Sequence, residues 1–376
     1  MIFISGIAIS LFLSALLLVK KNKSTADKIL FAWFVLITVH LAFFYFDNSP
    51  YLSRFPYLLG IELPMPLIQG VMLFLYASAL TDNLPEKKIY RWLHFLPAII
   101  CYIYLIEFFS RPAQEKLYVV MNKGIGYETF VAIKFYAIII SGITYVTWTL
   151  ILLKKHQKKI KDNFSDIERI NLKWLQYLTY GVAIIWLTVI FGTDEHTFLA
   201  VTLFIMFTGF FGIRQTPVFT THNPPQKPPQ TNTPVQAPFA QAEESLASDD
   251  SRKYETSGLS ESKKQTIAEA LQKSVEQDKL YLDSELSLDV LAAQLNIHPN
   301  YLSQFINEEL SLTFYDYINS KRVDEFKRIS HLPENSHFSM LGLALECGFN
   351  SKSSFNRNFK KFVGQTPSAY LSSLRN

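Results

Sequence analysis

The chain opens as long apolar runs separated by short polar segments. The runs cover residues 1–19, 29–46, 58–80, 93–109, 130–153, 172–191 and 198–213. Most come close to the roughly 20 residues a helix needs to cross a bilayer, so the pattern predicts seven membrane spans. The third run is the weakest, because Glu62, Pro64 and Pro66 interrupt it. No Lys or Arg precedes the first run, and Lys20, Lys21 and Lys23 follow it at once. A secretory signal has the reverse order, so the first run reads as a span with its N-terminus outside.

After Arg214 the pattern changes. Residues 215–259 are rich in Pro, Gln, Thr and Ser and include an acidic, serine-rich stretch, Glu243 to Asp250. Such a composition predicts a disordered, partly extended linker. Some forty residues of it would reach on the order of 100 Å. A helical period resumes from Ser260 to Gln277, with Ile267, Leu271 and Val275 on one face.

Two helix-turn-helix patterns follow. In the first, Leu288, Leu291, Ala292 and Leu295 share a face, and Pro299 opens a helix with Leu302, Phe305 and Ile306 inward. In the second, Leu341, Ala344 and Leu345 recur at helical spacing and Gly348 ends the run as a C-cap does. Asn350 and Ser351 then offer an N-cap, and Phe355, Phe359 and Phe362 fall at i, i+4, i+7. The opposite face carries Lys352, Ser353, Asn356, Arg357, Lys360 and Lys361 with no acid among them. Between the two patterns, 314–329 reads as a connecting helix with Tyr317, Ile318 and Val323 on its apolar side. One hairpin of this kind is weak evidence; a second copy strengthens it.

Residues from about 280 to 374 resemble the DNA-binding domain of AraC/XylS-family bacterial transcription regulators. The residues that carry the likeness are Leu288, Leu291-Ala292, Tyr301-Leu302-Ser303, Arg322-Val323, Ala344, Gly348-Phe349-Asn350-Ser351, Phe355, Phe359-Lys360-Lys361, Gly364 and Thr366-Pro367-Ser368. Leu310-Ser311 departs from the pattern, standing where a glycine is usual, and Cys347 stands at a position usually small and apolar. The resemblance implies two recognition helices placed in successive major-groove faces about 34 Å apart. It also implies base or backbone contacts from Asn300, Ser303 and Gln304 in the first unit. In the second they come from Lys352, Ser353, Asn356, Arg357, Lys360 and Lys361. The chemistry suits these roles: Asn and Gln pair with adenine, Arg and Lys with guanine, Ser with either. The resemblance implies double-stranded promoter DNA as a partner; the lipid bilayer, a second copy of the chain and, for an activator, RNA polymerase are further candidate partners.

Charge sharpens the topology. The chain has 376 residues, 49% of them hydrophobic and only 18% charged, below the roughly 25% usual for soluble domains. Loops on one side of the expected spans hold fourteen Lys and Arg against four on the other. The positive-inside rule puts the basic loops in the cytoplasm. Seven spans with the N-terminus outside then leave the C-terminal domain beside the DNA. The expected location is the bacterial inner membrane, in multi-pass form. Over 280–376, however, nine bases face ten acids, an unusual balance for a DNA binder.

Other chemistry is sparse. Lys134, His40 and Glu62 lie within apolar runs, where ionisable groups are functional candidates, although Lys134 and Glu62 near span ends suit snorkelling or a structural pair and His40 suits a hydrogen-bonded core residue. The outer segment Ser110 to Thr129 is a candidate ligand loop, an ordinary solvated loop being the alternative. Cys101 and Cys347 give neither a disulfide framework nor a zinc spacing. Phosphate-loop, His-Glu-x-x-His and Gly-x-Ser-x-Gly motifs are absent, so the expectation is no enzyme, no cofactor and no metal. The expected fold is all-α: a seven-helix transmembrane bundle (1–214), a linker (215–259) and a twin helix-turn-helix domain (260–376, core 280–374). The expected function is a membrane-anchored transcription regulator. A transporter or membrane enzyme with a regulatory DNA-binding tail is the alternative, and it calls for inverted repeats that the chain lacks.

Overall fold

A computed structural model describes residues 2–47, 55–168, 170–214, 259–335 and 337–373. The expected linker lies outside the described residues except for Leu259, as do Arg54 and Arg169 of the loop-charge count. The described residues are helical, with no strand among them and one isolated antiparallel bridge, Phe164 with Ser287. They divide into two units: 2–156 with 172–214, and 157–171 with 259–373.

The first unit contains α1 (Ile2–Val19), α2 (Thr25–Asp47), α3 (Pro66–Leu80), α4 (Lys88–Leu93), α5 (Leu96–Tyr104), α6 (Ile106–Ser110), α7 (Ala113–Met121), most of α8 (Glu128–Asn163), α9 (Lys173–Phe191) and α10 (Asp194–Arg214). Helix α1 packs on α2 and α10, α2 on α3, and α9 on α10. Trp33, Leu73, Tyr76, Leu175, Trp186 and Ile205 belong to the core they share. Many large apolar side chains, such as Leu11, Ile140 and Leu187, stay exposed on the outside of these helices.

Three helices among the described residues are long and apolar enough to cross a membrane by themselves: Thr25–Phe46, Glu128–Asn163 and Lys173–Phe191. Three shorter apolar stretches accompany them, Ile4–Val19, Pro66–Leu80 and Glu195–Met206. The count of seven spans read from hydropathy is therefore not reproduced element by element. The third run loses its first part to turns and starts its helix only at Pro66, leaving 15 residues, or about 22 Å against a core of about 30 Å. The fourth is divided: Pro97, in the first turn of α5, lacks the N–H that would continue the ladder from α4, and α5 and α6 meet at Leu105. Residues 110–129 do not form an open loop either. They contain α7, and Arg111 pairs with Glu107 at 2.7 Å and lies over the Tyr127 ring.

The second unit contains α11 (Glu261–Lys273), α12 (Leu288–Leu295), α13 (Pro299–Glu308), α14 (Phe314–Ser330), α15 (Met340–Glu346), α16 (Lys352–Val363) and α17 (Pro367–Ser373), together with residues 157–171. Its two cores match the two sequence patterns. Ile267, Leu271, Leu291, Leu302, Phe305 and Ile306 build the first; Phe326, Leu343, Ala344, Phe349, Phe355 and Phe359 build the second. Helix α14 supplies Phe314, Tyr317 and Ile318 to one and Val323 and Phe326 to the other, so one helix joins the halves. The face of α15 is rotated from expectation: Leu343 and Ala344 are buried, while Leu341 and Leu345 are exposed.

The departure at Leu310-Ser311 falls at a left-handed turn. Ser311 itself takes the left-handed conformation, φ 53°, that a glycine adopts without strain.

Candidate nucleic-acid interface

Each helix of the two hairpins starts on a side-chain cap. Ser287 Oγ accepts from Val290 N, Ser339 Oγ from Gly342 N, and Ser351 Oγ from Ser354 N at 3.1 Å. His298, ahead of Pro299, takes the same place for α13: its Nδ1 accepts from Asn300 N at 3.2 Å. The turns between helices rest on left-handed residues, Asn296 at φ 55° and Gly348 at φ 87°. Gly348 admits no side chain, since a Cβ there would sit 2.7 Å from Leu282 O and 2.9 Å from Tyr281 O. Gly364, at φ 82°, ends α16.

These elements place the expected contact residues on two polar faces. On α13, Asn300 is exposed and Ser303 and Gln304 are half-buried. The Gln304 amide donates to both carboxylate oxygens of Glu308 at 3.1 Å, and Asn307 donates to Ser303 O at 2.9 Å. On α16, Lys352, Ser353, Asn356 and Lys360 are exposed. Two cations of that helix are engaged within the unit. Lys361 Nζ lies 2.6 Å from Asp316 Oδ1, and Arg357 Nη2 lies 2.7 Å from Glu168 Oε1 while donating to the Tyr315 hydroxyl at 2.8 Å. The Asn358 amide donates to the same hydroxyl at 2.7 Å.

Beneath the two faces sits Arg322, whose side chain is 1% exposed. Its Nε donates to Tyr281 O and its Nη2 to Asp283 O, both at 2.7 Å. Nη1 also reaches Asn319 Oδ1, and Ser165 receives contacts from both terminal nitrogens. Burial lowers this guanidinium to about 10, still charged at neutral pH, and the acids nearby favour the charge. Cys347 is fully buried, and burial pushes its thiol up to about 12, so it is an inert packing group.

Residues 164–168 are the part the sequence did not announce. Ser165 N–H donates to Leu286 O at 3.2 Å, and its hydroxyl donates to the same oxygen at 2.6 Å. Asn319 Nδ2 donates to Ser165 O at 2.9 Å. Asn350 Nδ2 donates to Asp166 Oδ2 at 2.7 Å. Ile160 and Ile167 are buried with Tyr315 in a small cluster of their own. One signal was visible in hindsight: Phe164-Ser-Asp-Ile-Glu168 inserts acid and apolar residues into an otherwise basic segment.

The first unit holds a second candidate site, a cavity of about 580 Å³. Trp33, Phe44, Trp186 and Phe198 contribute apolar wall, and His40, Glu62, Gln69 and Lys134 contribute polar groups. Trp33 Nε1 donates to Gln69 Oε1 at 2.9 Å, and Gln69 Nε2 lies 3.3 Å from His40 Nδ1. His40 is thus a hydrogen-bonded core histidine that also borders a cavity. Among the described residues no group of His, Cys, Asp or Glu is placed to hold a metal ion.

Residues 291–373 match the family described as "Helix-turn-helix domain". An uncharacterized HTH-type transcriptional regulator of Bacillus subtilis, YtdP, is 35% identical over 88 residues, 23% of this chain and 11% of that protein. A regulator of Staphylococcus aureus with the same description is 31% identical over 93 residues, 24% of this chain and 12% of its own. The Msm operon regulatory protein of Streptococcus mutans is 28% identical over 93 residues, 25% of this chain and 32% of its own. The matched stretch thus spans about a tenth of the first two relatives and about a third of the last. No solved structure matches the chain.

Proposed function

Because the C-terminal part of the chain is a helix-turn-helix domain of the AraC/XylS type, we propose that the protein is a sequence-specific, membrane-anchored transcription regulator. The observation that carries this is the pair of polar helix faces, Asn300–Ser303–Gln304 on α13 and Lys352–Ser353–Asn356–Lys360 on α16, held by one shared helix, α14. Asn, Gln and Arg supply bidentate base-edge chemistry, and Lys supplies phosphate chemistry. The first unit is the anchor, with α1, α2, α3, the α4–α6 series, α8, α9 and α10 as seven crossing segments. Three spanning helices, exposed apolar surfaces and the loop-charge asymmetry support it. The cavity beside His40 and Lys134 has the size and mixed lining of a small-molecule site, which supports a sensor role.

The topology is tested with a reporter active only in the cytoplasm. Fused after Arg214 or within Lys154 to Lys173, it should be active. Activity within 110–129 instead reverses the orientation and removes the DNA-binding domain from the compartment of its partner.

A further inference from the structure

We propose that residues 157–171 form an internal clasp that closes on the DNA-binding domain and competes with DNA for Arg357. This rests on the reading above, in which α16 meets DNA. The clasp enters between the halves of the domain. Its backbone pairs with the residues just ahead of α12, through Ser165 and Leu286 and the Phe164–Ser287 bridge. Its Ser165 carbonyl is held by Asn319 and Arg322 of α14. Its two acids then reach the second hairpin: Asp166 takes Asn350, two residues ahead of α16, and Glu168 takes Arg357 on α16 itself.

The start of a helix attracts anions, through its unsatisfied N–H groups and its dipole. Phosphate oxygens and carboxylates compete for the same side-chain donors. With the clasp closed, Glu168 neutralises Arg357, and Asp166 accepts from the Asn350 side chain just ahead of α16. Each carboxylate also sits where an approaching phosphate would meet like charge. The acid–base contact is built to yield. Arg357 and Glu168 keep 40% and 27% of their side-chain surface exposed, and pairs of that kind contribute little net stability. The firmer contacts are those of Ser165 with Leu286, Asn319 and Arg322, and of Ile160 and Ile167 with Tyr315.

The clasp is covalently continuous with α8, which begins at Glu128 and ends at Asn163.

The test uses the full chain in nanodiscs and a random-sequence duplex long enough for two half-sites. Asp166→Asn with Glu168→Gln keeps shape and removes both charges. Binding should tighten about tenfold, and the salt slope should steepen by about one phosphate as Arg357 becomes available. A parallel hydrogen-exchange measurement on the unaltered chain should show 160–168 losing protection when the same duplex is added. Equal affinity and slope for the two chains, or retained protection of 160–168 in the DNA-bound state, overturns the clasp. The reading of α16 fails separately, if Arg357→Ala in the charge-free chain leaves affinity and slope unchanged.

Discussion

Arg322→Ala will destabilise the second unit by about 3–5 kcal/mol, enough to remove most of the margin of an ordinary domain. The residue is a buried cation whose cost of desolvation is offset by donation to Tyr281 O, Asp283 O, Asn319 Oδ1 and Ser165. Alanine removes the charge but leaves those acceptors buried without their donor, and each such group costs about 1–3 kcal/mol. It also opens a void beside the Phe349 ring, over which the guanidinium lies. Arg322→Lys keeps a charge but cannot serve the diverging carbonyls of 281 and 283 together, so it should recover less than half of the loss. Hydrogen exchange on the intact chain reads this directly, through the amides of α14 and the turn at Gly348. An alanine variant whose α14 protection drops by less than about 1 kcal/mol would mean Arg322 is not the joint between the halves.

Gln304→Ala will cost about 1–3 kcal/mol on the cognate site and little on random DNA. Gln304 must leave Glu308 to read a base. A bidentate amide discriminates among bases; a lysine does not. Lys360→Ala should therefore weaken every sequence alike and flatten the salt dependence by about one phosphate. Lys361→Ala should do less, because Asp316 already holds that ammonium at 2.6 Å. Gel-shift titrations over a range of salt concentrations separate the two classes. Equal loss on cognate and random duplexes would make Gln304 a positioning residue.

The twin hairpins were legible in the sequence because their signals are local. Serine caps, a glycine at the turn and phenylalanines four residues apart all lie within one helix of each other, and Ser351, Gly348, Phe355 and Phe359 do what the spacing implies. The polar faces followed from the same period, although which of their residues is already engaged did not. Arg357 and Lys361 look like free cations in sequence, yet their partners are Glu168, Tyr315 and Asp316. A pairing between Glu168 and Arg357 leaves no periodic trace, since the two positions are far apart in the chain. The membrane part was legible only in part, for a different reason. Hydropathy averages over a window, so it counts 93–109 as one span and overlooks the interruption at Pro97. It likewise reads 110–129 as a loop, although Ala113–Met121 is a helix. The rotation of α15 shows the limit of a short pattern: over seven residues, two neighbouring faces fit the apolar positions nearly equally well.

The central claim is that one membrane-anchored chain reads two half-sites through α13 and α16. Genome-wide mapping of DNA cross-linked to the intact chain in growing cells tests it most directly. The recovered fragments should share a bipartite motif whose halves lie one helical turn, about 34 Å, apart, and Gln304→Ala should blur one half while Arg357→Ala blurs the other. Fragments without a common motif, or a single undivided site indifferent to both substitutions, would contradict it.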